Sequence, residues 1–329
     1  MIPEQIEKIR DFLPNSPLIE LNDPWLKQFN ISVSIKRDDL IDSRISGNKF
    51  RKLKHALVRF HNDGYKGIVS FGGPWSNHLH ALSAIAEKYK IPLVAIVRGE
   101  EPTTPSHTLN DILKSGTRVV YVMREQYRQF RALAEEGRLH QHEFIKQWPD
   151  YMLIPEGGCS IDSLLGVAEI AEEITAETQL GFNAIYSACG TAATLAGLSL
   201  GLANSPNTQL TGIAALRAGK SLQLNVRRLL ADYGQPASDN WLINSNYHFG
   251  GFAKFNSELT DFMNQIFERT GLITEPIYTA KTLFALYQHI EQGKIPSGSR
   301  IMMLHTGGLQ GLRGFRGKGI DNLIAAARF

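Results

Sequence analysis

The chain has little cysteine, no long apolar run, no block of like charge and no internal repeat, and each absence narrows what it does. Two cysteines among 329 residues, Cys159 and Cys189, are too few for a disulfide framework, so a reducing cytoplasm is the expected setting. No apolar stretch approaches the roughly 18 residues a membrane span needs. Residues 1–10 are polar and charged rather than a secretory leader. Thirty-five basic side chains against 32 acidic ones leave a net charge of +3, with no basic patch or acidic tail to call for nucleic acid or a membrane surface. What remains is 43% hydrophobic and 20% charged, a soluble composition. The length suits about two domains, each with its own core.

The rhythm along the chain is a short β-rich run followed by a helical stretch. Residues 67–71, 92–97 and 117–122 read as strands, with helices over 77–90 and 106–114 and a long polar helix ending near Trp148-Pro149. After the glycine-rich Pro155-Glu156-Gly157-Gly158 a second series begins. Its strands are 183–188, 209–216 and 300–305, and its helices are 162–176, 191–203, 222–233, 257–270 and 279–292. Residues 32–37 alternate like a half-buried strand ahead of both series. This predicts an α/β protein of two open twisted sheets with flanking helices and a shared cleft. Ligands in such sheets sit beyond the carboxyl ends of the strands.

Four segments carry chemistry. Gly47-Asn48-Lys49 follows a polar loop and opens a helix. Gly47 permits close backbone approach. A lysine presented there, with its pKa lowered by desolvation and by Arg51 and Lys52 as neighbours, suits a Schiff base. The same tripeptide also reads as an ordinary basic helix start. Cys189-Gly190-Thr191-Ala192-Ala193-Thr194 joins a strand to a helix, and a helix start with small side chains suits a phosphate dianion. Ala192 and Ala193 still allow close approach if their φ is negative; the segment equally suits a tight strand-to-helix turn, with Cys189 as packing. Ser76-Asn77-His78 fits helix capping or carboxylate binding. His78 and His80, two apart on a helix, do not converge on a metal. Tyr278, just before another helix, is by itself a half-buried core tyrosine.

Taken in order, these segments and three more resemble one family. The blocks are Lys36-Arg37-Asp38-Asp39-Leu40, Gly47 to Leu53, Gly72-Gly73-Pro74-Trp75-Ser76-Asn77-His78, Pro155 to Gly158, Cys189 to Gly197, Glu275 to Lys281, and His305-Thr306-Gly307-Gly308. The chain resembles the pyridoxal-phosphate enzymes comprising 1-aminocyclopropane-1-carboxylate (ACC) deaminase and D-cysteine desulfhydrase, of the tryptophan-synthase-β-like fold group. The resemblance implies a cofactor cleft between a large domain (residues 1–52 and 156–329) and a small one (residues 53–155), and a homodimer. It implies Lys49 as the cofactor lysine and base, Gly190 to Thr194 around the phosphate, and Asn77 on the ring hydroxyl. Ser76, Asn77 and His78 then hold the carboxylate of a small amino acid, with Ser76 or Tyr278 relaying protons and Tyr278 stacked on the ring.

Four positions speak to the substrate. Where the deaminase branch carries glutamate facing the pyridine nitrogen this chain has Thr279, and where that branch carries leucine it has Thr306. The desulfhydrase branch carries a small hydroxyl residue and threonine there. A carboxylate at the ring nitrogen suits opening of a cyclopropane, whereas expelling a thiolate from the β-carbon is easier and proceeds with a hydroxyl. Both threonines therefore point to β-elimination, with ring-opening deamination, racemisation and a non-catalytic binding protein as alternatives. Trp75 departs from the family's glutamine and alters the substrate wall. Phe252 stands near a position where the family keeps tyrosine, with Tyr247 or His248 as replacements for the lost hydroxyl.

Overall fold

The computed structural model describes residues 16–45, 47–178, 180–235, 240–327 and 329; the polar start over residues 1–10 lies outside them. In chain order the elements are β1 (Leu18–Glu20), α1 (Pro24–Lys27), β2 (Ser32–Lys36), α2 (Asn48–Asn62), β3 (Gly67–Gly72), α3 (Asn77–Tyr89), β4 (Leu93–Arg98), α4 (His107–Lys114), β5 (Arg118–Val122), α5 (Arg124–Glu135) and β6 (Tyr151–Ile154). There follow α6 (Ile161–Glu177), β7 (Ala184–Cys189), α7 (Ala193–Gly201), β8 (Gln209–Ala214), α8 (Gly219–Asp232), β9 (Trp241–Asn244), α9 (Ser257–Thr270), α10 (Thr279–Glu291), β10 (Arg300–Leu304) and α11 (Asp321–Ala326).

Two sheets result. One is wholly parallel, in the order β5-β4-β3-β6; the other runs β1-β2-β10-β7-β8-β9, with only β1 antiparallel. Strands such as Gly67–Gly72 are buried along their whole length because helices cover both faces, which is why they read as continuous apolar runs. The expected α/β architecture of two open sheets with a cleft is what the chain adopts. Helix α2 crosses from the 52 side to the 53 side of the expected domain division without a break.

The structure differs from the sequence reading in three places. The polar helix after β5 stops at Glu135 rather than near Trp148, and a strand not expected from the sequence, β6, follows and pairs with Gly67–Ser70. Gly137, at φ 68°, takes a left-handed turn that a continuing helix excludes. The short edge strands β1 and β9 carried too few residues for a periodic signal. Helix α7 begins at Ala193, two residues later than expected, because Ala192 adopts φ 73°. A left-handed alanine costs about 1–2 kcal/mol, so the negative φ expected of this turn is not what the chain uses.

Packing around the lysine-bearing helix is close. A Cβ added to Gly166 of α6 would stand 2.0 Å from the Arg51 carbonyl oxygen, so α2 and α6 touch backbone to backbone. That contact leaves no room for any other residue at Gly166.

Candidate active site

The carboxyl ends of β3, β7, β8 and β10 lie around the cleft, and the four segments singled out in the sequence come together there. Gly47 sets the entry of α2. Its φ is 72°, its N–H donates to the Asp38 carbonyl at 3.0 Å, and an added Cβ would fall 1.9 Å from the Thr306 oxygen. Only glycine admits this approach, which seats the start of α2 on the loop after β10.

Lys49 is half-buried, and its amine donates to Asn48 Oδ1 at 2.7 Å. Asn48 in turn donates to Thr194 Oγ1 at 2.9 Å, which ties the lysine turn to the start of α7. Burial first, and then the Lys52 ammonium, pull the Lys49 pKa well below the ordinary lysine value, while Glu275 opposes them. Arg51, expected to help, takes no part. It turns to the other side of α2, where Asp38 and Glu173 pair with it. The cation that acts on Lys49 is one turn further on.

Lys52 is the principal residue the sequence reading missed as a site group. It is buried, and its amine reaches Thr191 Oγ1 at 3.5 Å. Burial lowers its pKa, with Cys159 and Cys189 opposing. Among the described residues neither Lys49 nor Lys52 has a carboxylate within ion-pair distance. Two buried amines that repel each other beside an uncapped helix start are costly unless one amine is covalently consumed and an anion neutralises the other. Ala192 caps α7 with no side-chain bond, and the Ala193 amide meets the Cys159 sulfur, so the remaining first-turn amides of that helix suit an anion. Cys189 packs in the core beneath this turn, and burial pushes its thiol up to about 12.

Across the cleft Ser76 caps α3, accepting the Leu79 N–H at Oγ at 3.1 Å, and among the described residues its own proton has no acceptor. Asn77 Oδ1 accepts from Gln310 Nε2 at 2.7 Å, so the Asn77 amide nitrogen is the free end. It stands against the turn at Gly308, where an added Cβ would come within 2.7 Å of it.

His78 faces inward. Ser70 gives its proton to the Ile154 carbonyl (2.8 Å), so His78 Nε2 donates to Ser70 Oγ (2.8 Å) and Nδ1 is left without a partner. Burial, then Lys49 and Lys52, hold its pKa near 3. An unfolded histidine binds its proton below about 6.5, whereas the folded one resists until pH about 3. The group therefore weakens folding as pH falls through that window, by at most ~1.4 kcal/mol per pH unit. In His78→Gln, urea midpoints measured from pH 7 down to 4 are expected to fall less steeply than in the wild type; equal slopes would refute the assignment.

Tyr278 lies over Gly190, where an added Cβ would meet its ring at 3.0 Å. Burial, followed by Glu275 and Glu156, raises its pKa, so the phenol keeps its proton. Glu275, quoted in the sequence only as part of a motif, is buried. Its carboxylate takes the N–H groups of Ile277, Tyr278 and Thr279 at 2.7–2.8 Å, shaping the turn into α10. Burial raises its pKa against those bonds. Thr279 Oγ1 accepts from the Glu275 N–H at 2.8 Å and spends its proton on Glu275 itself. Among the described residues the Thr306 hydroxyl has no hydrogen-bond partner, so of the two threonines it is the free donor.

Trp75 lies against the loop after β10: a Cβ on Gly314 would be 2.6 Å from its ring, and His107 meets it edge-on at 6.5 Å. Phe252 stands edge-on to Tyr278 with ring centres 6.1 Å apart. Neither proposed substitute for its missing hydroxyl reaches that spot. Tyr247 packs on Phe284 and His289, and His248 Nδ1 accepts the Gly250 N–H at 2.9 Å.

The residues present thus fit a phosphate-bearing aldehyde: an amine of lowered pKa, a second cation, a helix start without a side-chain cap and the buried Tyr278 ring over Gly190. Comparison with known proteins agrees. The model of the family "Pyridoxal-phosphate dependent enzyme" matches residues 9–307. A Pyrococcus horikoshii protein named provisionally as an ACC deaminase is 29% identical over 92% of this chain and 95% of its own. The Arabidopsis thaliana bifunctional D-cysteine desulfhydrase/ACC deaminase, mitochondrial, is 27% identical over 84% of this chain and 72% of its own. A solved structure described as an ACC deaminase homologue superposes with a TM-score of 0.80 at 26% identity, over 98% of this chain and 99% of that one. With the family's pattern running through most of its length, the chain belongs to the pyridoxal-phosphate-dependent enzymes.

Proposed function

We propose that this enzyme is a lyase that removes a β-substituent from a small amino acid, with D-cysteine or a close analogue as substrate and pyruvate, ammonia and sulfide as products. The observation that carries the reading is the pair Thr279 and Thr306 at the cleft, where the deaminase branch carries glutamate and leucine. Thr306 offers a free hydroxyl, and Thr279 has its proton held by Glu275. No carboxylate stands at either position.

When bound, the cofactor supplies the electron sink for bond breaking at the substrate's α-carbon. Lys49 would hold it and, as a free amine, would take the α-proton, with burial and Lys52 favouring its neutral form. Lys52, the amides at the start of α7, Gly190, Thr191 and Thr194 hold the phosphate. The free Asn77 amide donates to the ring hydroxyl. The α3 amides, with Ser76, Asn77 and His78, hold the substrate carboxylate, and Trp75 closes the wall beside them. His78 acts there through its backbone, since its ring is spent on Ser70. Tyr278 flanks the ring and keeps a proton to deliver. The division into residues 1–52 with 156–329 and residues 53–155, a homodimeric state and a cytoplasmic setting belong to the same reading. No helix among the described residues is long and apolar enough to cross a membrane.

A second reading, ring-opening deamination of ACC, is favoured by the names of the relatives. Purified enzyme should release sulfide from D-cysteine and little 2-oxobutyrate from ACC. Thr279→Glu combined with Thr306→Leu should lower D-cysteine turnover by about tenfold or more. Release of 2-oxobutyrate alone by the wild type would overturn the proposal in favour of the deaminase.

A further inference from the structure

Lys281 is fully buried on α10, two residues after Thr279, and among the described residues no carboxylate pairs with it. Its amine instead donates to three backbone carbonyls: His248 at 2.9 Å, Gly251 at 3.0 Å and Ala215 at 3.3 Å. Three donors meet three acceptors, which is the full capacity of an ammonium. Ala215 follows β8, and its N–H donates to the Cys189 carbonyl beside the phosphate turn. His248 and Gly251 belong to the loop that carries Phe252 to the edge of Tyr278. That loop is strained: Phe249 and Ala253 have φ of 52° and 55°, and Gly250 and Gly251 have φ of 94° and 128°. Left-handed non-glycine residues and inward-pointing carbonyls are unfavourable unless something holds them. Burial lowers the Lys281 pKa to about 8, with Glu275 opposing, so the ammonium predominates at neutral pH.

We propose that Lys281 is a positioning residue: its ammonium draws the carbonyls of residues 248 and 251 inward, fixes the 248–253 loop and so holds Phe252 against Tyr278. It ties together three walls of the cleft, namely the β8 end, the loop and the start of α10. The effect on turnover rests on the reading of Tyr278 as the residue flanking the cofactor. The effect on the loop does not.

The test uses Lys281→Ala with chymotrypsin as probe of the loop, in the presence and absence of pyridoxal phosphate. Cleavage at Phe249 and Phe252, read by mass spectrometry, should quicken about tenfold or more through local opening. Turnover should fall by about 100-fold from misplacement of Phe252 and Tyr278, while the visible band of the Lys49-bound cofactor persists. Methylammonium, which can donate to the three carbonyls, should reverse both effects, and tetramethylammonium, which cannot donate, should reverse neither. Unchanged cleavage, or equal rescue by both salts, would overturn the proposal. Should the alanine variant not fold, Lys281→Met keeps the buried stem without donors. If both stay unfolded with and without methylammonium, Lys281 serves general stability and the proposal falls. If the wild type binds no cofactor, the reading of the site fails, and cleavage of the cofactor-free protein still decides the role of Lys281.

Discussion

Lys49→Ala is expected to leave the protein colourless with pyridoxal phosphate and to lower turnover by at least about 10³-fold. Of the two amines at the site, Lys49 is the one tied into the lysine turn, whereas Lys52 reaches Thr191 on the phosphate side. Lys49 sits on the first turn of α2, tethered to Asn48 Oδ1 and through Asn48 to the phosphate turn at Thr194. Its pKa is lowered by burial and by Lys52, which favours the neutral, nucleophilic amine. Lys52→Ala separates the two lysines. It should weaken cofactor binding, because an anion loses its cation, yet leave the visible band of whatever cofactor remains. Absorbance titrated with cofactor reads both outcomes. A band that persists in Lys49→Ala and vanishes in Lys52→Ala would reverse the assignment.

Arg51→Met is expected to destabilise the fold by about 3–5 kcal/mol, the cost of stripping one partner from a buried ion pair. Arg51 and Asp38 both have 0% side-chain exposure and are joined by two bonds of 2.8 Å, and Arg51 also reaches Glu173 at 2.6 Å. Without Arg51, Asp38 keeps among the described residues only the Ser16 hydroxyl, at 2.7 Å, as a side-chain partner. The damage should reach the site, because the Asp38 carbonyl accepts the Gly47 N–H that opens α2. Urea denaturation gives the stability, and cofactor affinity gives the displacement of Lys49. Adding Asp38→Leu should recover part of the loss, since a well-packed apolar pair avoids burying an unpaired carboxylate. A change below about 1 kcal/mol would mean that water or another group compensates, contrary to the complete burial of the pair.

Lys36-Arg37-Asp38-Asp39 thus has a physical meaning that its use as a motif did not reveal. Lys36 pairs with Glu173 and Glu177, Arg37 with Asp39, and Asp38 with Arg51. Asp39 also lies 3.1 Å from His305, the residue before Thr306. Burial pushes the Asp39 carboxyl up, but His305 and Arg37 outweigh it and hold it below the usual range. The block places no group on the substrate. It locks the lysine helix and the loop after β10 to each other, so that Lys49 and Thr306 keep their separation.

The sequence alone determined the alternation of strands and helices, the segments at the strand ends and the residue types that need a phosphate-bearing aldehyde. These are local properties: periodicity, glycine where the backbone must come close, small side chains at a helix start. Lys49 was readable for that reason, with weak support from its own tripeptide and stronger support from Gly190 to Thr194, Asn77 and Tyr278. Only the tertiary structure decided which neighbour acts on it. Arg51 is closer in the chain, yet a helix turns successive side chains about 100° apart, so Arg51 goes to Asp38 while Lys52 returns to the cleft. Thr279 and Thr306 look equivalent as letters, but the Glu275 turn holds the proton of one and leaves the other free. Gln310 and Lys281 act across 233 and 30–66 positions of sequence respectively. Bonds to a distant amide or to a backbone carbonyl have no signature in residue order, because folding alone brings those partners together.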